Sequence, residues 1–231
     1  MQKVAFFDFC ETLVNFQTAD IFIDYVRKKN GSLYMLVLNA IFLLSVRLRV
    51  MAILERIIPE KSFSKRLKLL QIRNLSYEVL DQIADEFYRN IIKPNLILPV
   101  LTEMQKLAKQ NYDICLVSAG YSIYLKYFVQ DFHVPHLIST EIAFDMPRNR
   151  CLGKIAGKDC IRAEKVKRIT AHFDGEDINL SESISISDSI SDLPMLLLTG
   201  KAVVVSKGRS QQWILKNDFR EIIWDSYETN T

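Results

Sequence analysis

Residues 3–9, KVAFFDF, are apolar apart from Lys3 and Asp8, and the chain turns polar at Cys10-Glu11-Thr12. The run predicts a first strand, buried on both faces, that delivers a carboxylate to its end. From Thr18 to about Ile91 the spacing becomes helical. Thr18 is placed to cap a helix whose apolar stripe, Ile21, Phe22, Tyr25 and Val26, closes at Asn30-Gly31. Residues 33–57 and 61–71 continue in the same style. Residues 76–91 set Val79, Leu80, Ile83, Phe87 and Ile91 on one face, flanked by Tyr77 and Tyr88. No strand signal interrupts this block, and Pro94 and Pro99 punctuate its end.

Past that point helical and strand-like runs alternate. A helix is expected over about 100–110, a buried strand at 112–117 and a helix over 121–130. LIST (137–140) is strand-like, and EIAFD with RCLGK predicts a hairpin around Pro147-Arg148-Asn149. A helix over 161–173, a strand at 183–186, a short helix at 190–198 and a strand at 202–206 follow. The pattern ends with a helix near 209–216 and a strand at 221–224. The serine-rich stretch SESISISDSISD has isoleucines at a period of two, which fits a strand rather than disorder. Short connections between alternating elements predict an α/β fold with a doubly wound, mostly parallel sheet. The helical block would be an insertion after the first strand. That divides the chain into a core domain, 1–14 and 96–231, and an all-helical cap, 15–95.

Composition changes this picture little, charge more so. Hydrophobic residues make up 49% of the 231-residue chain, and Gly and Pro are scarce, as in an ordered globular protein. The four cysteines form no CxxC pair, which points to a reduced, cytoplasmic setting rather than a disulfide framework. The N-terminal apolar run is too short for a signal peptide. Between Arg27 and Leu70 there are ten basic residues against two acidic ones, a local net of +8 in a chain of +3. An anionic partner suits that asymmetry, although a solvated basic face explains it equally. Within this region residues 33–46, LYMLVLNAIFLLSV, are apolar except Asn39 and Ser45. Fourteen residues cannot span a bilayer, which needs about 20. The run is a buried helix or one lying on a membrane surface, so peripheral membrane contact stays open beside a soluble reading.

Candidate chemistry collects where a doubly wound sheet holds ligands, at the carboxyl ends of its strands. Asp8 follows AFF, Ser118-Ala119-Gly120 follows ICLV, Asp188 follows SISI, and Asp192 lies one helical turn further on. Lys165 sits on the helix preceding the Asp188 strand. Taken singly, a strand-end Asp is an N-cap and Ser-Ala-Gly a turn. His133 and His136 lack enough partners for a metal site, and Trp213 and Trp224 read as packing residues. No P-loop, dinucleotide fingerprint or nucleic-acid motif is present.

AFFDFCETLV, LVSAG, the lysine of AEKVKRI and SDSISDLPML, in that order, resemble the four motifs of the haloacid dehalogenase superfamily. The resemblance is closest to its phosphoserine-phosphatase-like branch, with a helical cap after the first strand. It covers about residues 1–14 and 95–206. It implies a phosphomonoester hydrolase or phosphotransferase acting through a phospho-aspartate on Asp8, on a phosphorylated small molecule or lipid head group. It further implies that Ser118, with the backbone of Ala119 and Gly120, holds phosphoryl oxygens and that Lys165 offsets charge between Asp8 and phosphate. Mg²⁺ would be held by Asp8, the backbone carbonyl of Cys10 and Asp188; Asp192 would hold the metal or its waters, or orient Lys165.

The sequence departs from that pattern at Cys10. Phosphatases of the superfamily have an aspartate there, which protonates the leaving group. A thiol is mostly protonated at neutral pH and donates weakly. The departure implies slow hydrolysis, transfer to an acceptor other than water, or a site that only binds. Glu11 is expected to face the cap or solvent. Ser187 replaces a glycine, and Gln17 stands where relatives acting on phosphoserine carry a glutamate.

Overall fold

A computed structural model describes residues 1–57 and 63–225. Seven strands form one sheet: β1 (Lys3–Phe7), β2 (Tyr112–Tyr121), β3 (His136–Asp145), β4 (Arg150–Ala156), β5 (Ile184–Ser187), β6 (Lys201–Lys207) and β7 (Arg220–Trp224). Their order is β4-β3-β2-β1-β5-β6-β7. All neighbours run parallel except β3 and β4, the expected hairpin. Asn149 closes that hairpin at φ 50°, its N–H donating to the Met146 carbonyl at 3.0 Å. Chain direction across the sheet reverses at β1, between β2 and β5, the crevice where such folds bind ligands.

Among the described residues, the helical block that follows β1 holds α1 (Thr18–Lys29), α2 (Leu33–Arg47), α3 (Val50–Ile57), α4 (Phe63–Leu70) and α5 (Tyr77–Phe87), and α6 (Leu98–Lys109) then leads into β2. The others are α7 (Ser122–Asp131), α8 (Ala163–His172), α9 (Leu193–Leu196) and α10 (Gln212–Lys216). Residues 61 and 62 of the expected helix over 61–71 fall outside the described residues. α2 and α3 do not run on as one helix, because Arg49 between them takes φ 56°. Nor does Thr18 cap α1. Gln17 holds the extended N-cap conformation, and Thr18 is the first helical residue, fully buried.

One hydrophobic cluster joins the inserted helices to the sheet. Phe22 of α1, Phe87 of α5 and Tyr124 of α7 pack with ring centroids 5.0–5.4 Å apart, beside buried Phe7, Phe9 and Leu116. The backbone ties the same parts together. Asn74 N–H donates to the Cys151 carbonyl and Cys151 N–H to the Leu75 carbonyl, each at 2.8 Å. Asn149 accepts the Tyr77 N–H at 3.1 Å and so caps the start of α5 from the hairpin.

Candidate active site

The site begins with the turn after β1. The amides of Thr12, Leu13 and Val14 all converge on the Phe9 carbonyl, and Glu11 adopts φ 57° to let the chain double back. That curl aims the Thr12 hydroxyl at the strand ends. It lies 3.0 Å from Asp188 Oδ1 and 3.4 Å from Asp8 Oδ2, and it accepts the Asp188 N–H at 3.0 Å. Register brings the acids level: Phe7 pairs with Ile186 of β5 and with Leu116 of β2. Asp8 N–H donates to the Ile186 carbonyl at 2.9 Å.

Lys165 enters from α8 and is 2% exposed. Its Nζ lies 2.7 Å from Asp8 Oδ1 and 2.6 Å from Asp192 Oδ2. Ser187 donates to the same Asp192 oxygen at 2.7 Å, so the residue standing in place of a glycine helps orient that carboxylate. Asp8 Oδ1 is thus engaged by lysine while Oδ2 faces Thr12 and Asp188.

Burial raises the Asp8 carboxyl to about 6; Lys165 opposes the rise and Asp192 adds to it. Asp188 is pushed up to about 7 by burial first and by the charge of Asp8 next, against the Thr12 hydrogen bond. Burial alone would lower Lys165, but the two carboxylates override it and hold the ammonium above its ordinary value. Among the described residues no three His, Cys, Asp or Glu side chains gather as a metal cage. Asp8 Oδ2 and Asp188 Oδ1 form a two-carboxylate edge on the Thr12 hydroxyl.

Ser118 is fully buried at the end of the regular part of β2, where the register with β3 shifts between Ser118 and Tyr121. Its Oγ accepts the Gly120 N–H at 2.9 Å. A Cβ on Gly120 would stand 2.8 Å from the Tyr124 hydroxyl and 3.2 Å from Ser118 Oγ, so any larger residue has to displace the Tyr124 side chain. The Ala119 carbonyl accepts from Lys65 of α4 at 2.6 Å. Lys65 also pairs with Asp159 at 2.5 Å, and Asp159 receives the Thr140 hydroxyl at 2.7 Å.

Cys10 turns its thiol toward α1. Sγ lies 3.1 Å from Thr18 Oγ1, which lies 2.7 Å from the Tyr124 hydroxyl. Burial, helped by the nearby Asp8 charge, pushes the thiol to about 11, so it keeps its proton across the physiological range. Glu11 is exposed and accepts from Gln17 Nε2 at 2.5 Å. His136 sits 3.1 Å from His172, on the outside of the molecule. A cavity of about 470 Å³ lined by Met104, Tyr112 and His133 borders the opposite end of β2 and includes none of these acids.

Thr12, Thr18, Lys65 and Tyr124 are the site's unforeseen members. A lone hydroxyl or a helix lysine carries no periodic signal, and their convergence depends on how the inserted helices settle on the sheet.

A doubly wound sheet whose switch point gathers strand-end carboxylates around a helix lysine defines an α/β core with its ligand site at the carboxyl ends of the strands. A model of the haloacid dehalogenase-like hydrolases matches residues 5–197, and the chain belongs to that family. Against curated proteins the sequence has no match. Among solved structures it is similar to a protein of unknown function from Bordetella pertussis Tohama I, at 22% identity and TM-score 0.74, over 96% of this chain and 98% of that one. A phosphoserine phosphatase in apo form follows at 16% identity and TM-score 0.62, over 96% and 94%. A haloacid dehalogenase family hydrolase from Salmonella enterica serovar Typhi shares 15% identity at TM-score 0.62, over 95% of this chain and 66% of that one. The fold is that of the phosphoserine phosphatases.

Proposed function

We propose that the protein is a Mg²⁺-dependent phosphomonoester hydrolase or phosphotransferase that works through a phosphorylated Asp8. The observation that carries this reading is Lys165 Nζ, held within 2.7 Å of both Asp8 and Asp192 at the mouth of the sheet. One carboxylate is thereby fixed and partly neutralised, ready to approach an anionic phosphorus centre.

Asp8 attacks phosphorus, the phosphorus–oxygen ester bond breaks, and its electron pair leaves with the departing oxygen. Ser118 Oγ, oriented by the Gly120 N–H that donates to it, holds a non-bridging oxygen together with the Ala119 amide. Asp192, fixed by Ser187, keeps Lys165 aimed at Asp8. Asp8 and Asp188, with the Cys10 carbonyl, would offer Mg²⁺ the hard oxygen donors it favours. When bound there, the ion would offset the negative charge of the carboxylates and the phosphate. The departing oxygen takes its proton from water, because Cys10 is committed to Thr18. Loss of a positioned acid costs roughly 10²–10⁴-fold, so turnover is slow on simple alkyl phosphates and better on activated ones.

Helices α1 to α5 act as the cap, and the net positive charge of residues 27–70 supports an anionic, phosphorylated substrate. The four cysteines, all buried free thiols, support a reducing, cytoplasmic setting.

Acetyl phosphate or para-nitrophenyl phosphate with Mg²⁺ tests the reading. The expected result is a phosphoryl adduct on Asp8 by mass spectrometry, and turnover that Asp8→Asn removes. Neither adduct nor turnover in the wild type overturns the catalytic reading and leaves a phosphate-binding module.

A further inference from the structure

Helix α2 wears its apolar side outward. Met35 and Phe42, seven residues apart, are its two buried residues, and they turn one side of the helix toward the protein. Lys68 of α4 lies over the Phe42 ring at 5.0 Å, and the Tyr34 hydroxyl donates to the Leu70 carbonyl at 3.2 Å. The opposite side is where a helix facing water places polar groups. Here it is Leu33, Val37, Ala40, Leu44 and Leu48 at helical spacing, and Leu33, Leu44 and Leu48 are 78%, 56% and 61% exposed. The surface continues onto α3, where Ile53 and Ile57 are 56% and 69% exposed. Twelve of the twenty-two large exposed hydrophobics among the described residues fall between 33 and 57. That concentration is a patch rather than ordinary scatter.

Charge selects what covers it. Arg47, Arg49 and Arg56 are exposed at the junction of α2 with α3 and at the end of α3. Among the described residues no ion pair engages Arg47 or Arg49. A second copy seated by two-fold symmetry would press these arginines together as it buried the leucines. A bilayer containing anionic lipid receives both, apolar side chains below the head groups and guanidinium groups at the phosphates.

We infer that the α2–α3 face docks the protein on an anionic membrane surface. α2 lies along the interface, since none of the described helices is long and apolar enough to cross a membrane. Docking is independent of Asp8 chemistry. It places the basic helices against head groups whatever the substrate.

Sedimentation with vesicles tests it without reference to turnover. The expected result is capture by phosphatidylglycerol–phosphatidylcholine vesicles and little capture by phosphatidylcholine alone. Arg47→Gln with Arg49→Gln weakens capture roughly 30-fold, at about one factor of five per arginine. Leu44→Gln with Leu48→Gln, at exposed positions that leave the far-ultraviolet circular dichroism unchanged, abolishes it. No capture of folded wild type overturns the inference, as does equal capture by both vesicle types. A solution dimer, seen by light scattering and dissociated by the Leu44/Leu48 variant, overturns it in favour of a second copy.

Discussion

Lys165 makes two ion pairs with one ammonium group, and the energetics of the site follow from that. With Lys165→Met, Asp8 and Asp192 stay buried beside each other without a cation. Breaking a buried charge cluster in this way costs about 3–5 kcal/mol. The variant is expected to melt well below wild type at neutral pH and to regain part of the loss in acid, where the carboxylates take up protons. A melting temperature that fails to rise relative to wild type on acidification contradicts the arrangement. Thr12 supports the same centre from the other side. Thr12→Val is expected to weaken Mg²⁺ dependence of turnover by about 10–100-fold, the usual cost of losing a group that orients ligands; an unchanged Mg²⁺ titration argues against its bridging role. Cys10→Asp restores an acid where the thiol now sits. Hydrolysis of a simple alkyl phosphate should rise by about 10²-fold and that of para-nitrophenyl phosphate by less, with some loss of stability because the new carboxyl is buried. A fall instead identifies the thiol as tuned to its own substrate. At this scale Asp8 and Asp188 were legible because each follows an apolar strand, whereas Lys165, inside the first turn of α8, stood out only through the order of the motifs. Thr18 was not: a threonine before a helical stripe resembles a cap, whereas Gln17 takes that place and Thr18 turns inward to Cys10 and Tyr124.

Among elements, β2 and α5 differ most instructively from their sequence patterns. Ser118-Ala119-Gly120 reads as a turn, yet the strand continues to Tyr121 through a register shift. The shift lets Gly120 approach Tyr124, and that contact makes a sharp prediction. Gly120→Ala forces a methyl group against the Tyr124 hydroxyl and Ser118 Oγ, with an overpacking cost of about 1–3 kcal/mol. Chemical denaturation measures it; an unaltered midpoint shows that the loop yields freely. On α5 the predicted stripe holds for Leu80, Ile83 and Phe87, but Val79 is 39% exposed while Tyr88 is buried. The helix widens to a π turn at Tyr88–Ile92, and the extra residue per turn rotates Tyr88 and Ile92 inward. A fixed period of 3.6 cannot foresee such a slip. The alternation beyond residue 98 was legible nearly throughout, because buried parallel strands are short apolar runs and their helices are striped.

For the whole molecule, the raised carboxyls couple stability to pH. Asp8 near 6 and Asp188 near 7 both stand above the ordinary carboxylate value of about 4. The metal-free fold therefore binds their protons more tightly than the unfolded chain does. Their contribution is complete below about pH 4 and is lost as pH climbs through 6 and 7. Under the proposed Mg²⁺ chemistry a divalent ion held by the deprotonated pair would reverse the sign. The melting-temperature gain from saturating Mg²⁺ is expected to be larger near pH 8 than near pH 5.5; equal gains at both values would rule out ligation by these acids. A mostly parallel sheet and a helical block after β1 were readable from alternation, but the order of the strands was not, because alternation does not say which strands are neighbours. The outward-facing leucines of α2 were not, because periodicity reports which residues share a side and not which way that side points. The paired amides of Asn74 and Cys151 have a last consequence. They extend the hairpin edge by a rung taken from between α4 and α5. Hydrogen–deuterium exchange should find these two amides as slow as those inside the sheet. A hinge that admits a ligand then has to flex elsewhere, nearer α2 and α3, while the α5 side stays moored.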